Sequence, residues 1–148
     1  MNPDLLQKTK RILGVVVALL VVVLAYLAST RTEEISVAIN DDYMSLSYSS
    51  GASFEIGFKD ILSVTKAQDL YLGKFVSGSE TGRYKFGVWD NPQFGEYNLS
   101  IYANVARTIV VETSDQIYVI NFESEDATDS FYKAFLELLQ TKKAQATP

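Results

Sequence analysis

Seventeen consecutive residues, Ile12–Ala28, carry no charge and one polar group, the Tyr26 hydroxyl. As a helix at about 1.5 Å per residue this run is roughly 26 Å long, close to a hydrocarbon core of about 30 Å. A helix is required there because lipid offers the backbone no hydrogen-bond partner. The spacing predicts a transmembrane helix over residues 12–30, with Ser29 and Thr30 at the interface, and a chain tethered to a membrane. Cleavage as a signal peptide fits less well. With Ala28 as the last residue, the third-last would be the bulky Tyr26, where a small residue is wanted. No face of the run is polar, so it does not read as the core helix of a soluble protein.

Lys8, Lys10 and Arg11 precede the run against a single acid, Asp4, while Arg31 is followed at once by Glu33 and Glu34. The positive-inside rule then places residues 1–11 in the cytoplasm and everything after the helix outside the cell membrane. From residue 31 onward the chain carries ten Lys/Arg against seventeen Asp/Glu, a net of −7. Such a domain disfavours nucleic acid, whose phosphates require clustered cations. There is no Cys and no His. Disulfides, thiol catalysis, imidazole general bases and the usual zinc sites are therefore excluded.

Residues 31–143 read mainly as strands. Period-two alternation marks 35–39, 43–48, 54–58, 83–89 and 96–102, and 61–66 is a short further candidate; 108–113 and 117–122 form a hairpin with apolar residues on both faces, as expected of strands covered on both sides. Asn40-Asp41-Asp42, Ser49-Ser50-Gly51 and Ser114-Asp115-Gln116 supply turns. Three glycines and two serines make 72–82 a loop. Tyr84, Phe86 and Val88 share one face of their strand, and Tyr97, Leu99 and Ile101 point inward from theirs. The period then changes. Phe131, Ala134, Phe135 and Leu138 fall at helical spacing, widened by Tyr132, Leu136 and Leu139. A helix is expected from about 127 to 141, capped by Asp126, with a loose tail over 144–148. One helix after several strands, without strand–helix alternation, argues an α+β class.

Between Ile61 and Leu138 the chain also resembles a family, the bacterial pleckstrin-homology-like domains of small membrane-anchored proteins. The resemblance is carried by Ile61-Leu-Ser-Val64, Leu72-Gly73-Lys74, Gly78, Gly82-Arg-Tyr84-Lys-Phe-Gly87-Val-Trp89, Gly95-Glu-Tyr-Asn-Leu99, Ile109-Val-Val-Glu-Thr113, Tyr118-Val-Ile-Asn121 and Phe131-Tyr132. It implies a bent antiparallel β-barrel of about seven strands closed by one C-terminal helix, and a role in lipid binding, peptide binding or assembly. Phosphoinositide-binding members use a basic first hairpin. Here that hairpin turns on Asp41 and Asp42, which would repel a polyanionic headgroup.

Ser63-Val-Thr-Lys66 matches the opening of a Ser/Lys acylating site, but on a strand and without the further motifs such a site needs. Asn98-Leu-Ser100 is a sequon. Asp41/Asp42 and Glu123/Glu125/Asp126 lack the spacing of a calcium loop. Lys74, Arg83 and Lys85 flank the expected glycine loop and are the candidate site for an anionic ligand or lipid surface. Trp89 falls out of phase with Tyr84, Phe86 and Val88: either it is an exposed anchor for a partner, or a bulge near Asp90-Asn91-Pro92 turns it inward. In the apolar run, Gly14, Ala18 and Ala25 form a small-residue seam suited to helix–helix contact.

The expectation is a single-pass, membrane-tethered domain that binds a protein partner or assembles with itself. The alternative is a lipid-surface or small-anion binder; an enzyme is the third reading. The sequence asks for no cofactor and no metal.

Overall fold

The computed structural model describes residues 35–146. The expected transmembrane helix at 12–30 and its small-residue seam lie outside the described residues. Among those described, no helix is long and apolar enough to cross a membrane.

Within the described residues nine strands form two sheets. The smaller contains β1 (Ile35–Ile39), β2 (Tyr43–Tyr48) and β3 (Ser53–Gly57) in sequential antiparallel order. A 3₁₀ turn at Phe58–Asp60 leads into the larger sheet. That sheet holds β4 (Ile61–Gln68), β5 (Lys74–Glu80), β6 (Tyr84–Asn91), β7 (Gly95–Tyr102), β8 (Arg107–Thr113) and β9 (Ile117–Ile120), in the order β4-β8-β9-β7-β6-β5. Helix α1 spans Glu125–Ala146. All pairings are antiparallel except β7 with β9. A closed barrel of about seven strands is thus replaced by two separate sheets whose edges do not join. Among the described residues β4 and β5 have no partner on their outer sides, and each is interrupted by a bulge, at Leu62 and Val76 respectively. Bulged edges resist the addition of further strands.

The expected loop at 72–82 contains β5. Its glycine does not break the strand but allows it. Gly78 faces Gly87, both at positive φ, and a Cβ on either would lie 2.2 or 2.1 Å from the facing backbone carbonyl. Only two glycines let these strands approach so closely.

Two cores result. Tyr84 and Phe86 face the first, between the sheets and α1, with Met44, Leu46, Ile56, Ile109, Val111 and Phe135. Tyr97, Leu99 and Ile101 face the opposite way, into a second cluster with Trp89 and Val119. The large sheet therefore buries both faces. The second face is covered by Asp69–Gly73, which joins the two edge strands. Tyr97 OH donates to Leu72 O at 2.7 Å and Asn91 Nδ2 to Tyr71 O at 3.0 Å, pinning this strap. Edges of a flat six-stranded sheet would lie about 24 Å apart, whereas six residue steps reach about 21 Å. The sheet must coil for the strap to close.

α1 begins two residues earlier than expected and runs further. Its cap is Ser124, whose Oγ accepts the Ala127 N–H at 3.0 Å; Asp126 lies within the first turn. Phe135 is buried, stacked on Phe131 and edge-on to Phe58. Outside the core, Lys66 and Arg107 both bind Asp129, and Arg107 also pairs with Glu125. These links tie the helix N-terminal half to β4 and β8. The Lys66 hydrogen bond, then Arg107, holds the Asp129 carboxyl below its usual range.

Candidate functional site

The three cations proposed from sequence do not converge. Lys74 opens β5 opposite Asp90, while Lys85 pairs with Glu80 at the other end of the same hairpin. Five residue steps along β6, from Lys85 to Asp90, separate those ends, about 17 Å of strand. Lys85 Nζ is engaged with Glu80 at 2.7 Å, and the Arg83 guanidinium lies over the Tyr84 ring. A single anion cannot be held by all three.

Trp89 does not serve as an exposed anchor. It is 2 % exposed, with Phe75 edge-on at 4.9 Å. Its phase is out of step with Tyr84 and Phe86 because it belongs to the second core. The alternation was regular, and the assumption of one buried face was at fault. Ser63 and Lys66 are likewise separated: Ser63 Oγ donates to Glu112, and Lys66 reaches Asp129. Ser100 of the sequon is fully buried in β7.

The structure instead assembles a groove from segments far apart in sequence. One wall is the C-terminal half of α1, with Leu136, Leu139, Gln140, Lys142 and Lys143. The other is the 3₁₀ turn and the start of β4. A hollow of about 470 Å³ lies among Asp41, Asp42, Phe58, Lys59, Ile61, Leu139, Lys142 and Lys143. A second, of about 210 Å³, adjoins it and shares Phe58, Ile61, Leu139 and Lys143. The first falls within the size range of ligand pockets.

Local geometry explains each part. The β1–β2 turn closes with Asn40 N donating to Tyr43 O, and Phe58 N donates to Asp42 O, which brings the acidic turn beside the 3₁₀ segment. Ser114 N donates to Asp60 O and fixes that segment to the β8–β9 hairpin. The bulge between Ile61 and Ser63 turns Leu62 outward, 66 % exposed, at the groove's mouth. Lys142 Nζ lies 3.8 Å from an Asp41 carboxylate oxygen across one end. The groove therefore has an apolar floor and a rim of both signs.

Apart from the acidic pair Asp41 and Asp42, none of these residues was weighed from sequence as part of a site. Two signals pointed to them. Ile61-Leu62 places two large apolar residues side by side where alternation allows one. The α1 stripe, widened by Leu136 and Leu139, is broader than one packing contact requires. No family model, curated protein or solved structure matches this chain.

Proposed function

We propose that the chain is a membrane-tethered binding module that presents the α1–β4 groove to a segment of a protein partner. The observation that carries the reading is the continuous apolar seam Phe58–Ile61–Leu136–Leu139 with Leu62 exposed at its mouth. Apolar floors with a polar rim are the anatomy of peptide-binding surfaces. The rim favours a peptide over a polyanionic headgroup, because Asp41 and Asp42 stand at one end and Lys142 already meets Asp41. The dispersal of Lys74, Arg83 and Lys85 removes the support for an anion site there.

The tether remains residues 12–30, with the N-terminus cytoplasmic and the domain outside. A cysteine introduced at Gln145 is the chain's only thiol, and a membrane-impermeant reagent then labels it on intact cells. Labelling only after lysis overturns the orientation. For the groove, a photo-crosslinking residue at Lys59 of the full chain in its native membrane yields a discrete protein adduct, whereas one at Glu96 does not. Leu62→Asp abolishes that adduct while leaving the melting transition in place, since Leu62 is exposed. An adduct indifferent to Leu62→Asp overturns the reading.

A further inference from the structure

The two sheets end in four outer strands, β1, β3, β4 and β5. Three of these edges are guarded. β4 and β5 are bulged. The β3 edge is engaged from the large sheet, where Tyr118 OH donates to Glu55 O at 3.3 Å. β1 is the exception. It pairs with β2 over Ile35–Ile39 without a register shift, and its five residues include no charge, proline or glycine. Edge strands are ordinarily protected by a bulge, a charge, a proline or a covering element, and β1 has none of these among the described residues.

The phase of the hydrogen bonds fixes which groups this edge offers. Asn40 N donates to Tyr43 O, and antiparallel ladders alternate bonded with unbonded pairs. Ser36 and Ala38 therefore bond to β2, while Ile35, Val37 and Ile39 turn their N–H and C=O groups outward. Tyr48, opposite Ile35, directs its own N–H the other way, to Ala52 O, as this phase requires. The side chains of Ile35, Val37 and Ile39 lie on the core face, each opposite a buried β2 residue: Tyr48, Leu46 and Met44. Ile35 and Val37 pack at the core margin, but Ile39 is 51 % exposed. Ser36 and Ala38, on the other face, are exposed to water. The first core is thus left open beyond β1, beside a row of outward backbone groups.

We propose that β1 is a docking edge for an extended segment of a partner protein, which adds as a further strand and carries apolar residues at alternate positions and Lys or Arg at both ends. Main-chain bonds to Ile35, Val37 and Ile39 hold it, and antiparallel addition is the stronger pairing per residue. Partner residues opposite these three stand on the core face and cover Ile39, so large apolar side chains fit there; those between stand beside Ser36 and Ala38 and face water. Charge selects the ends. Asp41 and Asp42 follow β1, both exposed, and Glu33 and Glu34 precede it in sequence. Lys142 lies 3.8 Å from Asp41, while Asp42 has no ion pair among the described residues. A second copy paired antiparallel would bring acids to acids at both ends, whereas a basic-ended segment is attracted at both. The net charge of −7 from residue 31 onward also opposes self-pairing. The inference adds a second surface to the binding-module reading and does not depend on the tether or on the α1–β4 groove.

The test titrates a labelled synthetic peptide into the full chain in neutral detergent, read by fluorescence anisotropy. The peptide alternates valine and threonine between a pair of lysines at each end. It binds saturably; glutamates in place of the lysines weaken binding by about tenfold or more, and added salt weakens the lysine form. Methylation of the valine amides, which face β1, abolishes binding, and methylation of the threonine amides does not. On binding, hydrogen exchange slows at the Val37 and Ile39 amides, whereas those of Ser36 and Ala38 are already slow in the free protein. Ile39→Pro removes an outward N–H and leaves the β1–β2 bonds in place, so it weakens binding by about tenfold or more. Ile39→Lys, a charge on the edge, does the same, and keeps the melting transition because Ile39 is half exposed. Leu62→Asp leaves binding unchanged, which separates this edge from the groove although Asp41 and Asp42 border both. The proposal is overturned by absence of saturable binding, by indifference to which amides are methylated, or by loss with Leu62→Asp but not with the Ile39 variants. Val37 and Ile39 amides already protected in the free protein overturn it too: protection that grows with protein concentration assigns the edge to a second copy, and protection independent of concentration assigns it to another part of the same chain.

Discussion

Phe135→Ala tests whether α1 is part of the core or merely lies on it. Phe135 is 1 % exposed, stacks on Phe131 at 5.4 Å between ring centroids and meets Phe58 edge-on at 6.1 Å. Truncating such a buried ring costs about 3–5 kcal/mol through lost transfer free energy and the cavity left behind. The two aromatic contacts place this site in the upper half of that range. Domain stability is typically about 5–15 kcal/mol, so the variant should keep only a small reserve. At about 4 °C per kcal/mol for a domain of this size, its melting point falls by about 15 °C. Lys133→Ala, exposed on the same helix, stays within about 0.5 kcal/mol of the parent. A urea titration can be followed in two ways: by far-ultraviolet circular dichroism and by the fluorescence of Trp89, the chain's only tryptophan. Trp89 sits in the second core, across the sheet from Phe135. One cooperative unit predicts that both signals shift together. A loss below about 1 kcal/mol, or a helical signal that moves while Trp89 does not, refutes the reasoning and makes the helix a separable attachment.

Three further outcomes follow from particular side chains. Ser100 Oγ is buried without a hydrogen-bond partner among the described residues; Ser100→Ala should be neutral or stabilising in a thermal melt, since it removes an uncompensated hydroxyl. Asn121 behaves oppositely. Its Oδ1 accepts the Tyr102 N–H at 2.7 Å, and its Nδ2 donates to Tyr102 O and Val105 O, so Asn121→Ala should cost about 2–4 kcal/mol by urea titration and loosen the β7–β8 turn. Asp129 has its folded-state pKa lowered, chiefly by Lys66 and then by Arg107. Its contribution is fully present above the ordinary value of 3.8 and is lost as pH falls through the lower folded value. Asp129→Asn should therefore flatten the acid limb of stability against pH and leave the slope near neutrality unchanged.

Much of the local structure was legible in residue order. Alternation in 43–48, 84–89 and 96–102 records an extended strand and which residues share a side, and the change of period at Phe131 marks a helix wherever the chain is placed. The acidic turn at 40–42 is set by short side chains that favour turns. The apolar run at 12–28 bounds its own possibilities by length and lack of charge. These are properties of a segment and its immediate neighbours.

What covers a face is not such a property. Trp89 looked out of phase because alternation shows which residues share a side, not how many sides are buried; the strap at 69–73 buries the second one. β5 was hidden because Gly78 is a breaker by itself and a fitted neighbour only opposite Gly87. Lys74, Arg83 and Lys85 are close in sequence, yet an extended hairpin carries them to opposite ends, at about 3.3 Å per residue. The groove has the reverse history. Asp41, Phe58, Leu62 and Lys142 lie up to a hundred residues apart, and no local pattern joins them. Segment conformation is decided by short-range sterics and periodicity, which residue order states. The meeting of surfaces is decided by long-range strand order and by the packing of α1 against β4 and β8, and only the folded chain states that.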